Sequence, residues 1–149
     1  MLDYDKFLIF SMETNIKQQK KEDVSDEELL KVIADFLEMG HAQNIVEMFK
    51  QDSRYYEWVG PLLTDERFAV RLGVSVLFEY LIEERPEDVH LAIPSLSNVL
   101  KHETPWVRGE ALSILAIIGT PDAIALIKTL ETDPAPEVAA IVQDILSTG

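Results

Sequence analysis

Cysteine is absent from this chain, which excludes disulfides, thiolate metal sites and a cysteine nucleophile. Basic residues are scarce: 13 Lys and Arg stand against 27 Asp and Glu, a formal net charge of −14 at pH 7. A surface of that sign repels phosphate backbones and anionic headgroups, so neither nucleic acid nor membrane is an expected partner. No stretch approaches the ~18 uninterrupted apolar residues that a spanning helix needs. The start, Met1-Leu2-Asp3-Tyr4-Asp5-Lys6, lacks the basic entry and long apolar core of a secretory signal, and the expected location is the cytoplasm. The six glycines are scattered and form no phosphate loop, dinucleotide fingerprint or Gly-x-Ser-x-Gly elbow.

What is present is apolar content at helical spacing. With 47% hydrophobic residues in 149, the chain is long enough to bury one core, and a single domain over 1–149 is expected. No segment alternates apolar and polar residues as a half-buried strand does. An amphipathic helix is expected from Tyr4 to Lys21, followed by a polar linker. Ser25-Asp26-Glu27-Glu28 has the form of a capping box opening a helix through Leu29, Ile33 and Leu37, which Gly40 ends. A short helix around Ile45–Phe49 and another from Tyr55 to Leu63 come next. Beyond them, helix starts recur as a cap residue followed by proline: Thr104-Pro105, Thr120-Pro121 and Asp133-Pro134.

Self-comparison gives the strongest signal. Ala92-Ile93 recurs as Ala123-Ile124 and Val107 as Val138, each 31 residues on, while Val70-Arg71 matches Val107-Arg108 at 37, the excess lying in Glu83–Asp88. Three hairpins follow, roughly 54–83, 87–118 and 121–147, with 1–50 as N-terminal helices capping the stack. Such units cannot bury an apolar face alone and share a core with their neighbours.

The unit from Ala92 to Ile124 resembles a HEAT repeat, in the short form of bacterial HEAT-repeat proteins and phycobilisome bilin lyases. The residues that carry the likeness are Leu96 and Leu100, then Pro105, Val107, Arg108, Ala111, Leu115 and Gly119, then Pro121, Asp122 and Ala123. The resemblance implies an all-α, right-handed α-α superhelix, a solenoid of helical hairpins. It also implies that Arg71 and Arg108 form a structural ladder, each bonding the turn of a neighbouring hairpin, with Asp65 as a candidate acceptor. The pattern is broken twice: His102 stands where an acidic residue is usual, and Ala139 where the arginine belongs.

Chemistry finds little footing. His41, His90 and His102 lie on separate segments with no second histidine at i+4, so no metal site is expected. The pairs Glu27-Glu28, Glu83-Glu84 and Glu87-Asp88 fall at helix ends, Glu87 and Asp88 in a first turn where the helix dipole favours negative charge. Neither catalytic residues nor a cofactor are expected. Trp58 and Trp106 are read as packing residues, and Tyr55, Tyr56 and Tyr80 as exposed contact aromatics.

The expected function is therefore that of a non-catalytic scaffold binding another protein or peptide, with self-association compatible. A lyase acting on a tetrapyrrole–protein adduct, by likeness to bilin lyases, and DNA-lesion recognition, by likeness to HEAT-like alkylpurine glycosylases, are the alternatives. Turning each second helix by 100° per residue from Val70, Val107 and Val138 puts a row opposite the core: Leu72 and Val76, Gly109 and Ser113, Ala140 and Asp144, then Glu79 and Ala116. This row is the expected partner-binding surface.

Overall fold

The computed structural model describes residues 25–148. The amphipathic segment expected over Tyr4–Lys21 lies outside them. The described residues are helical or in turns, in the order α1 (Asp26–Glu38), α2 (Ala42–Gln51), a 3-10 turn (Ser53–Trp58), α3 (Val59–Leu63), α4 (Phe68–Glu84), a second 3-10 turn (Val89–Ala92), α5 (Ile93–Val99), α6 (Pro105–Ile118), α7 (Pro121–Lys128) and α8 (Pro136–Thr148).

Local chemistry sets these boundaries. Ser25 Oγ accepts from the Glu28 N–H at 3.1 Å, and the three acids of the first turn of α1 sit at the positive end of its dipole. Gly40, at φ 84°, and Gly119, at φ 65°, take the left-handed conformation that ends α1 and α6. Pro105 and Pro121 open α6 and α7, and Thr120 Oγ1 accepts from Ala123 N at 3.3 Å. The third expected start is displaced: α8 begins at Pro136, because Asp133 Oδ1 accepts from Ala135 N at 2.9 Å and holds a turn before the helix. Glu87 and Asp88 likewise lie in a turn ahead of the 3-10 segment, not in the first turn of a helix.

The helices stack into a solenoid around a continuous core. Helix α4 packs on α1 and α2 to one side and on α6 to the other, and α6 packs in turn on α5, α7 and α8. This flanking explains why α4 and α6 are apolar around much of their circumference. The stripe Val107, Ala111, Ile114, Leu115 and Ile118 is buried as its spacing predicts. Tyr55 and Tyr56 overturn their expectation: they are 4% and 0% exposed. The 3-10 winding turns both rings inward, where Tyr56 meets Phe49 edge-on at 4.9 Å and Phe78 at 6.4 Å, and burial pushes its hydroxyl up to about 12.

Candidate functional site

The junctions between hairpins position the surface. Before α4, α6 and α8 the chain makes the same turn, in which a side chain accepts from the backbone N–H two residues on. Asp65 Oδ1 takes Arg67 N at 2.9 Å, His102 Nδ1 takes Thr104 N at 3.0 Å, and Asp133 repeats the pattern with Ala135. An imidazole nitrogen thus does for this turn what a carboxylate does at the other two.

The two ladder arginines share their inward contacts. Arg71 Nη1 donates to the carbonyls of Asp65 and Glu66 at 2.8 and 3.0 Å, and Arg108 Nη1 to those of His102 and Glu103 at 2.9 and 3.2 Å. These turns belong to each arginine's own hairpin and not to a neighbouring one, and Asp65 accepts through its backbone oxygen. Their outward contacts differ. Arg108 forks onto the next unit's Asp133, Nε to Oδ2 at 2.9 Å and Nη2 to Oδ1 at 2.7 Å. Both residues are half-buried, and the paired charges hold Asp133 below and Arg108 above their ordinary values. In the repeat register His102 stands where Asp133 stands one unit on, so Arg71 has no matching carboxylate to fork onto. It lies 4.3 Å from the Trp106 ring centroid and 5.6 Å from that of Phe68, with Glu110 Oε1 at 3.5 Å from its Nε, which has no hydrogen-bond partner among the described residues.

This arrangement leaves an apolar patch open to solvent. Phe68 is 63%, Leu72 52% and Trp106 43% exposed. Trp106 therefore corrects the packing expectation: its first-turn position on α6 places it beside the Arg71 guanidinium at the surface. Trp58 is half-buried edge-on to Tyr55, as a packing residue would be. Of the expected row, Leu72, Glu79, Ser113, Ala140 and Asp144 are exposed, and Val76 and Ala116 are half-buried. Gly109 is the exception. It is buried where α8 crosses α6, and a Cβ there would stand 3.0 Å from Ile141 Cδ1.

Sequence reasoning missed two concavities. A groove of about 670 Å³ runs between α3 and α5, where Gly60 N donates to Ser95 Oγ at 2.8 Å and the two helices approach closely. A cleft of about 160 Å³ lies between the start of α2 and the side of α4, with Val76 and Tyr80 on its α4 wall. Both require elements distant in sequence to meet, and no local motif marks them. Among the described residues no group of three or more His, Asp or Glu is placed to hold a metal ion, and no helix is long and apolar enough to cross a membrane.

The family model for HEAT repeats matches residues 57–146, which covers all three expected hairpins apart from their outermost residues. The chain is also similar to a deoxyhypusine hydroxylase of Mus musculus, 44% identical over 54 residues. That likeness covers 35% of this chain and 18% of the mouse protein, so the chain spans a small part of the relative it matches. No solved structure matches the chain.

Proposed function

The chain belongs to the HEAT-repeat family, and from that premise we propose that it is a non-catalytic scaffold whose α4–α6 face binds another protein or peptide. The observation that carries this is the patch Phe68, Leu72 and Trp106. These are three of the five large hydrophobic side chains exposed among the described residues, and Arg71 bridges the two aromatics. Exposed apolar residues scattered singly are ordinary, but a group bound together on adjacent helices suits a partner's apolar side chains. Aromatics and arginine are also the residues that dominate protein interfaces. Ser113, next along the row on α6, offers a small side chain that permits close approach.

The similarity to a hydroxylase favours a second reading, that this chain takes part in hydroxylation. It ranks lower because it rests on a segment of repeats, and a shared repeat architecture is weak ground for shared chemistry. The likeness to bilin lyases has the same weakness, and lesion recognition in DNA has the charge of −14 against it.

Capture experiments with the full chain test the scaffold. Ser113→Arg and Leu72→Glu should each leave the Tm nearly unchanged, as exposed substitutions do. Each should weaken capture of the partner by tenfold or more, on the order of 1.4 kcal/mol. Undiminished capture by both variants would move the site off this face.

A further inference from the structure

We propose that the α4–α6 face is covered, when no partner is bound, by this chain's own N-terminal segment, Tyr4–Ile16. Two unmatched apolar surfaces in one molecule carry the inference. Phe68, Leu72 and Trp106 form the first, and Met39 and Leu91 are the only other large hydrophobic side chains exposed among the described residues, so no second group of three competes with it. The other is Tyr4, Phe7, Leu8, Phe10, Met12 and Ile16, expected on one amphipathic helix. A helix of that length is marginal alone in water and gains its stability by laying its apolar face on another surface.

The tether is long enough. Residues Lys17–Val24, polar but for the last, join the segment to Ser25, and fully extended they span about 26 Å at ~3.3 Å per residue. From Ser25, α1 runs for 13 residues, about 20 Å at ~1.5 Å per residue. At its far end Asp35 and Glu38 pair with Arg67 Nη1 at 2.8 and 3.3 Å, and Phe68 follows Arg67. The patch therefore begins within the span of the tether.

Charge favours the same path. Lys17, Lys20 and Lys21 would lie beside α1, which carries Asp26, Glu27, Glu28, Asp35 and Glu38 against Lys31 alone. Tethering selects the occupant as well. A short linker holds the segment at an effective concentration on the order of millimolar, so it meets the face ahead of a second copy of the chain in dilute solution. A partner must then displace the segment, which limits access to the face. That inhibitory consequence rests on the scaffold reading, whereas the docking itself is read with no partner present.

The test uses the absence of cysteine, which makes one introduced thiol unique. A nitroxide on Glu13→Cys, nine residues on from Tyr4 and so opposite it at 100° per residue, is placed in the full chain, and paramagnetic line broadening is read by NMR. Broadening is expected to be strongest at the Leu72 methyls and the Trp106 indole N–H and to persist on dilution. Phe7→Asp combined with Phe10→Asp should reduce it at least threefold, as should Leu72→Glu read at Trp106, with the Tm nearly unchanged. Broadening that is absent, strongest elsewhere, or left intact by these variants would overturn the docking. Broadening passed from a spin-labelled chain to a separately isotope-labelled one would overturn it in favour of a second copy. The Phe7 and Phe10 double variant should also strengthen partner capture at least threefold, and unchanged or weaker capture would overturn the inhibitory role. Missing broadening with capture still weakened by Leu72→Glu would sink this proposal alone. Broadening as expected, with capture untouched by Leu72→Glu and Ser113→Arg, would support the docking and sink the scaffold reading on this face.

Discussion

At the step from the first hairpin to the second, Arg71 ends on the faces of Phe68 and Trp106; at the step from the second to the third, Arg108 closes on Asp133. Both arginines come from the same position of the repeat and both bond the two carbonyls of their own turn. The difference traces to one residue of the following unit, His102 in one case and Asp133 in the other. Each completes its own turn by accepting a backbone N–H, so the turn survives the exchange and only the bond between units changes. The junction with the forked carboxylate is sealed, and the one where Arg71 has only Glu110 at 3.5 Å holds the exposed aromatics. A weakened link in the ladder and the proposed binding surface are the same place.

Breaking each arginine should separate the two steps most widely. Arg108→Ala leaves the half-buried Asp133 without its forked partner and should cost about 2–3 kcal/mol in chemical denaturation. Arg71→Ala removes the two carbonyl bonds and the ring contacts but orphans no forked carboxylate, and should cost about 1–2 kcal/mol. Equal losses would mean that the fork on Asp133 adds nothing to the ladder. Acid sharpens the same point. Asp133 is held below its usual value by Arg108, so its contribution is fully present above the unfolded carboxylate pKa of about 3.9 and is lost as pH falls through the lower folded value. Asp133→Asn should therefore flatten the loss of stability below about pH 4, read from denaturation midpoints across that range.

The glycines of the two helices give a smaller contrast. A Cβ on Gly73 would stand 2.9 Å from the Leu37 carbonyl oxygen and 2.8 Å from Leu37 Cβ, both fixed to the frame of α1. On Gly109 it would meet only the end of the Ile141 side chain, at 3.0 Å. Gly73→Ala should destabilise by roughly 1–3 kcal/mol through overpacking. In Gly109→Ala the helix-propensity gain, up to about 1 kcal/mol, should offset a small shift of Ile141. Similar midpoints for the two variants would show that α1 yields to α4 as easily as a side chain does.

Much of this was legible before the structure, because repeat register and helical period are local properties. Val107, Ala111, Ile114 and Leu115 fall inside as their spacing requires, and the match at 37 residues aligns the turns that Arg71 and Arg108 bond. The errors arise where one direction toward the core was too simple. Helix α6 has neighbours on several sides, so Gly109, opposite Val107 on the helical wheel, is buried beneath α8. Tyr55 and Tyr56 fall at the start of a helix expected to run to Leu63, but their turn is wound as 3-10, and both rings point inward. The cleft at α2 carried no signal because it forms only where the turn at Gly40 meets Val76 and Tyr80.

Repairing the gap in the ladder should have a small effect and the sharpest readout. In His102→Asp the new carboxylate can keep the bond from Thr104 N, as Asp133 does from Ala135 N, and by the repeat register its other oxygen is offered to Arg71 of the preceding unit, as Asp133 is to Arg108. Arg71 Nε is buried without a hydrogen-bond partner among the described residues, whereas Arg108 Nε donates to Asp133. Supplying that acceptor should stabilise the chain by about 1 kcal/mol, the net worth of a typical hydrogen bond, with desolvation of the new charge offsetting the rest. The guanidinium would then turn from the Trp106 ring toward the new carboxylate. Trp106 fluorescence, measured in a Trp58→Phe background, should respond, and partner capture through the Phe68, Leu72 and Trp106 patch should weaken in parallel. A more stable variant with unchanged Trp106 emission would show that Arg71 serves the ring and the ladder at once, and that the two junctions differ less than their contacts suggest.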